Sequence, residues 1–318
     1  MFNEFILLEY FTSQSTINFK EKKSIFKEAI KLSNELAINF SKSKKIKKIH
    51  IIRHKSLQNL NNKKIFTHSV CEKKNLYKVL DKFKYRTNLL LISPENEFKS
   101  LKLHQILSKK FTLLNSRSKD IRIFSSKLKT YKTLKKKNVE VIKIEKRLKK
   151  NVQYISKPEY GTGSKDIIVF RKNNEVKRKK TVIQKFYKGK KGSFAMLCCE
   201  KNFEIICCNE QLLELKNNRI NQVGLIIGGL ESHRKEIYEL GKKICTHFPN
   251  LFGYIGVDIL RVKNHWQIIE INPRFTSSYI GLESAYGRGM IEKINEFYIK
   301  KKLTEKNCKL NKKVKVFF

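Results

Sequence analysis

What this 318-residue chain lacks narrows its chemistry before any motif is read. No run approaches the roughly 18 apolar residues of a membrane-spanning helix. The seven cysteines do not show CxxC spacing, which argues against a zinc site. The GxxxxGK[ST] pattern is absent, which excludes a Walker loop, and so are zinc-finger spacing, an RNP-like aromatic strand and a basic helix bearing base-reading polar residues. There is no internal repeat and no low-complexity linker. The opening MFNEFILLEYF has a short apolar run, no basic leader region and acids at Glu4 and Glu9, so it reads as a first strand rather than a signal peptide. These absences point to a cytoplasmic protein with no membrane partner and no specific nucleic acid.

Acidic residues are also scarce: 28 Asp and Glu stand against 70 Lys and Arg, for a formal net charge of +42. Such a balance would ordinarily suggest nucleic acid or an anionic membrane. Only 12 of the 70 are Arg, however, and the excess runs through most of the chain alongside abundant Ile and Asn, which is the mark of compositional bias. A basic field still attracts anionic small molecules, nucleotides among them. The cysteine pairs Cys198-Cys199 and Cys207-Cys208 flank a turn at EKNF and read as buried, reduced thiols on a hairpin.

The length suggests two or three domains. FILLEYF, KIHIIRH and NLLLISP read as strands, alternating with helical segments near 19–39, 72–83 and 95–110. That βα pattern implies a mostly parallel sheet covered by helices. FTLLNS adds a short strand, then a helix is expected over about 119–137 and a strand at VEVIKI. From Val152 the chain changes to strands joined by tight turns: VQYISKP, DIIVF, TVIQKFY, SFAMLCC and EIICC. A helix over 231–248, a final hairpin and a helix over 290–302 follow, and the basic end NCKLNKKVKVFF reads as a frayed terminus or an extra strand. The fold class is therefore α/β, with α+β character in the C-terminal half.

Two stretches carry chemistry. In GYIGVDILRVKNHWQIIEINPRF, a three-residue loop Lys263-Asn264-His265 would set Val262 opposite Trp266, Leu260 opposite Ile268 and Asp258 opposite Glu270, with Asn272 on the same face. Opposed carboxylates repel unless a cation lies between them. Oxygen-only ligands suit a hard ion such as Mg²⁺, which proteins usually hold through one or two carboxylates together with substrate phosphates. The second stretch, YISKPEYGTGSKDIIVF, places Lys157 on a strand before Gly161, Thr162, Gly163 and Ser164. Backbone amides of such a loop can cradle phosphate oxygens. Taken singly, either stretch also suits an ordinary hairpin.

Their order is more specific. Lys127 on a helix, the Lys157 strand with its glycine loop, the strand ending Gln184-Lys185-Phe186-Tyr187 and the late GVD…EINPR hairpin follow in a sequence that resembles the ATP-grasp superfamily over roughly 113–302. The resemblance implies an ATP-grasp fold preceded by a βα parallel-sheet domain. It implies that Lys127 and Lys157 contact the phosphates of ATP, that Gly161 to Ser164 form a flap, and that Gln184 to Tyr187 hold adenine. Asp258, Glu270 and Asn272 would ligate Mg²⁺ (or Mn²⁺), and Arg274 would steady the transferred phosphoryl group. Lys185 stands where the family often has an acid, and no ribose-binding Glu follows shortly after it. FILLEYF, LLLISPENE, GSFAMLCCEKNFEIICCNEQ and Gly228-Gly229 look most like the tyramine-glutamate ligase group.

The boundaries expected are 1–112 for the βα domain, 113–187 for a small subdomain with the flap, 188–302 for a subdomain with the metal site, and 303–318 for a basic tail. The implied activity is a carboxylate–amine ligase working through an acyl phosphate. Its partners would be a small-molecule carboxylate, such as glutamate, and an amine, in a chain compatible with homo-oligomers. A kinase-like or nucleotide-sensing role and a nucleic-acid-binding role are the alternatives. His233 and His265 read as a helix-start and a turn residue, not as catalytic bases.

Overall fold

Strand β1 (Glu4–Glu9) is buried along nearly its whole length, as a central parallel strand must be. Its alternation feeds two cores: Phe5 and Leu7 face one hydrophobic cluster, Ile6 and Leu8 another. The computed structural model describes residues 4–14, 23–93, 99–161, 167–171 and 180–318. Around β1 lie β2 (Lys48–His54), β3 (Ile65–Val70), β4 (Asn88–Ile92) and β5 (Thr112–Leu113), all parallel, in the order β3-β2-β1-β4-β5. Helices α1 (Lys23–Ser41), α2 (Leu76–Leu80) and α3 (Lys99–Leu107) connect them. Helix α1 buries Leu32, Leu36, Ala37 and Phe40, a stripe at helical spacing. The βα reading of this region holds, although β3 had no strand signal in the sequence analysis.

The helix expected over 119–137 is two helices, α4 (Ser118–Phe124) and α5 (Lys127–Lys136), broken at Ser125-Ser126. The break has a local cause. Ser126 caps α5, its Oγ accepting the Lys129 N–H at 3.1 Å, and a capping serine competes with helix continuation. VEVIKI is not a strand: Val141 and Ile144 make only isolated bridges, to Ile268 and Gln184.

The second sheet runs β13-β12-β9-β10-β11-β7-β6-β8, with β14 (Val314–Phe317) paired to β11. Its other members are β6 (Gln153–Pro158), β7 (Ile168–Arg171), β8 (Thr181–Lys185), β9 (Lys191–Cys199), β10 (Asn202–Lys216), β11 (Arg219–Ile227), β12 (Gly253–Val262) and β13 (His265–Asn272). The β10–β11 hairpin extends well past EIICC, and β11 went unseen in the sequence because its run INQVG is polar and glycine-broken. The C-terminal end is a strand, with Val316 in the core. Helices α6 (Arg234–His247), α7 (Leu282–Tyr286) and α8 (Arg288–Lys300) complete the fold. Ile294, Phe297 and Tyr298 of α8 share one core with Phe5 and Leu7, so α8 joins the two sheets. The cysteines on β9 and β10 are buried free thiols, as read from the sequence. Among the described residues, no helix is long and apolar enough to cross a membrane.

Candidate active site

The acidic hairpin reaches its alignment by a route the sequence reading did not foresee. The turn has two residues, Lys263 and Asn264, both left-handed with φ of 47° and 65°, and Val262 pairs with His265. A two-residue turn shifts every pair by one, so Arg261 faces Trp266 and Leu260 faces Gln267. Continued unbroken, that register would leave Asp258 without Glu270. A β-bulge between Ile268 and Glu270 inserts Ile269 as an extra residue and restores the Asp258–Glu270 pair, with Gly256 opposite Asn272. The core explains the register. Trp266, Ile268 and Ile271 are buried with Val257 and Ile259, so the bulge lets 268 and 271 both point inward while Ile269, Glu270 and Asn272 face the cleft.

Across the cleft, α5 and β6 deliver two lysines. Ser126 donates from Oγ to Glu159 Oε1 at 2.5 Å, and the Lys127 N–H donates to Glu159 O at 3.1 Å, tying the start of α5 to the end of β6. Lys127 Nζ then lies 3.2 Å from Glu270 Oε2 and donates to Gly161 O at 3.0 Å. Lys157 is buried on β6 opposite Val182 of β8. Burial, reinforced by Lys191, pushes its ammonium down to about 7. Burial and the neighbouring Glu270 raise the Asp258 carboxyl above the usual range. Burial also opposes charge on Glu270, but Lys127 and then Lys157 outweigh it and hold this carboxyl low. Of the two, Asp258 is therefore the more readily protonated, and its Oδ1 accepts from Gln211 Nε2 at 2.8 Å.

Two cavities meet this array. The first, an apolar slot of about 850 Å³ open to solvent, is lined by Ile155, Lys157, Gln184 to Gly189 and Lys191, and closed by Leu213 to Leu215, Ile220, Leu260 and Ile269. Gln184, Lys185, Phe186 and Tyr187, the stretch expected to hold adenine, thus line one side of this slot. The Gln184 side chain also has a structural role, donating to Ile142 O at 3.1 Å. The second cavity, about 620 Å³, holds Asp258, Glu270, Asn272 and Arg274 with Glu28, Gln211 and Ser277. Gly256 lets the chain after Arg274 fold over this cavity, since a β-carbon there would lie 2.5 Å from Thr276 Cγ2. Thr162, Gly163 and Ser164 lie outside the described residues.

The donor set of the second cavity is oxygen-rich but incomplete. Among the described residues, no three His, Cys, Asp or Glu side chains cluster as a metal cage. Two carboxylates and an amide instead suit a divalent ion that completes its shell with phosphate oxygens and water. Sequence reasoning missed Lys191, Glu214, Leu260 and Ile269, all of which line the slot. Glu214 arrives from β10, distant in sequence from the 184–187 segment it faces across the slot. Ile269 was hidden because only the bulge turns it toward the cleft.

Residues 124–278 match the ATP-grasp domain family. No curated protein matches the chain. Among solved structures, an ATP-grasp superfamily protein from Archaeoglobus fulgidus superposes with a TM-score of 0.73 at 22% identity, covering 92% of this chain and 88% of its own. N5-carboxyaminoimidazole synthetase from Staphylococcus aureus, solved with ADP, gives 0.64 at 15% identity, with 97% and 80% covered. L-amino acid ligase from Bacillus licheniformis gives 0.61 at 13%, with 94% and 74% covered. At these identities the likeness establishes the fold, and the chain has the ATP-grasp fold.

Proposed function

We propose that this chain is an ATP-dependent carboxylate–amine ligase, and that the cleft between β6–β8 and the β12–β13 hairpin is its active site. The observation that carries the reading is one array: Lys127 and Lys157 on one wall, Asp258, Glu270 and Asn272 on the other, and an apolar slot running away from both. A flat base fits the slot between Ile155 and Ile269, a polyanion fits the lysines, and a cation fits the acids. The ADP complex of the Staphylococcus aureus synthetase and the named activity of the Bacillus licheniformis ligase are in keeping with this. Within the superfamily, the sequence pattern is similar to that of the tyramine-glutamate ligase group, which supports an amino acid or small peptide such as glutamate as one substrate. In this reading residues 113–187 and 188–302 are the halves that close on nucleotide, 1–112 precede them and 303–318 form the tail.

The chemistry follows from charge placement. A substrate carboxylate oxygen attacks the γ-phosphorus, the bond from that phosphorus to the β,γ-bridging oxygen breaks, and ADP leaves. The amine nitrogen then attacks the acyl carbon of the acyl phosphate, inorganic phosphate departs, and the nitrogen's surplus proton passes to phosphate or water. No protein nucleophile is needed, because phosphoryl transfer is catalysed by positioning and electrostatic stabilisation. Lys127 and Lys157 bind the phosphates, Arg274 faces the transferred group, and Gln184 to Tyr187 frame the base. Asp258, Glu270 and Asn272 would hold Mg²⁺ or Mn²⁺, which neutralises phosphate charge when bound.

The test is phosphate release from MgATP with amino acids and amines supplied in pairs, in wild type, Glu270→Ala and Lys157→Ala. Release that needs both substrates, and falls by orders of magnitude in either variant, is expected. Wild-type turnover in both variants refutes the site. Release with no dependence on the amine would instead point to a kinase-like or sensing role.

A further inference from the structure

Among the described residues lining this cavity, Glu28 is an acid that no step above uses. It projects from α1, in the first βα unit, into the cavity that holds Asp258, Glu270 and Arg274. Two other acids of the fold are held by several donors. Glu231 accepts from Arg234, from Tyr286 Oη and from the Cys208 N–H, and Glu9 accepts from the Phe11 and Thr12 N–H groups. Glu28 has the Ser277 hydroxyl as its hydrogen-bond partner and Arg274 as an electrostatic one, and burial raises its carboxyl above the usual range. Nearby, Gln211 is 9% exposed, and its Oε1 is a buried acceptor with no hydrogen-bond partner. Beyond the carboxylates assigned to the metal, the described residues lining this cavity include a cation, Arg274, an anion, Glu28, and an open acceptor on Gln211.

That charge pattern complements a zwitterion. We propose that the carboxylate substrate is an α-amino acid with a free ammonium group, received by Glu28 and Gln211 Oε1, while its carboxylate faces Arg274 and the γ-phosphate. The inference rests on the ligase reading and adds a requirement to it: α1 of the first βα unit reads the donor's amino group. A neutral amide nitrogen at that position would bring no charge to Glu28 and fewer donors to Glu28 and Gln211 Oε1, so it binds less well than the matched ammonium. Glu28 is accordingly a specificity residue, distinct from the groups that handle phosphate.

The full-length protein is assayed with MgATP and hydroxylamine, which traps an acyl phosphate as a hydroxamate whatever the natural amine is. The donors are the twenty common L-amino acids, their N-acetyl derivatives and the corresponding carboxylates that lack the amino group. At least one free amino acid is expected to form hydroxamate, with kcat/KM at least about 100-fold above its N-acetyl form. Glu28→Gln is expected to shrink that ratio to within about tenfold, because it removes the charge that favours ammonium. If Glu28 only packs, the variant lowers both donors in proportion and the ratio stands, which overturns the proposal. Equal turnover of the N-acetyl or deaminated donors by wild type also overturns it. Calorimetry separates the two levels of failure. MgATP binding with every amino acid inert refutes this inference alone, whereas absence of MgATP binding refutes the ligase reading beneath it.

Discussion

Titration of Lys157 should make ATP binding depend on pH in a range where an ordinary lysine site would be indifferent. In the empty cleft, burial and Lys191 hold its ammonium near 7, so above neutrality most molecules carry a neutral amine there. A triphosphate favours the charged form and raises that pKa on binding. The sign follows: binding takes up a proton, and apparent affinity falls as pH rises above the empty-site value. With about 24% of sites protonated at about pH 7.5 and about 3% at about pH 8.5, Kd for metal-free ATP should weaken roughly eightfold, about 1.2 kcal/mol. Calorimetry in EDTA, repeated in two buffers of different ionisation enthalpy, should report uptake of about 0.8 to 1 proton over this range. Adding Mg²⁺ should reduce the net uptake, because a cation on the phosphates lessens the gain from charging the Lys157 ammonium. Lys157→Arg supplies the control, since a guanidinium stays charged and should flatten the pH dependence. Proton uptake near zero, or an unchanged slope in Lys157→Arg, would refute the reasoning.

Deleting Ile269 removes the bulge but leaves Ile268 opposite Ile259, Glu270 opposite Asp258, and Ile268 and Ile271 still inward, so the deletion protein is expected to fold and unfold cooperatively in a denaturant melt, losing only the Ile269 wall of the slot. A deletion protein that fails to fold would contradict the assignment of Ile269 as the inserted residue. Replacing the turn pair Lys263-Asn264 with Asn-Gly relieves a left-handed lysine and should stabilise by about 1 kcal/mol, seen as a raised Tm. Thiol titration of the native protein should count at most the half-buried Cys71 and Cys308, with the five buried cysteines reacting only after unfolding, and a faster third thiol would contradict their burial.

Local pattern was sufficient for much of the chain. KIHIIRH appears as β2 at the bounds read for it, because an unbroken β-branched run buried on both faces has few alternatives. The α1 stripe was equally plain, as were the helices before and after the last hairpin. Asp258, Glu270, Asn272, Lys127 and Lys157 could be singled out from residue type and order, and the fold brings them to one cleft. The hairpin register was misjudged twice in ways that cancelled: the turn is one residue shorter, and the bulge adds one back. Nothing in QIIEIN signals that bulge, because Ile268, Ile269 and Ile271 are alike in chemistry and differ only in what packs against them.

Sequence by itself thus determined the alternation of strand and helix and the kinds of charge this protein would bring to a site, because periodicity and side-chain chemistry are properties of short segments. Tertiary structure alone decided which of those charges meet. The Glu270–Lys127 contact, the lowered Lys157 ammonium and the entry of Glu28 from the first βα unit depend on burial and on long-range packing, which no local pattern encodes.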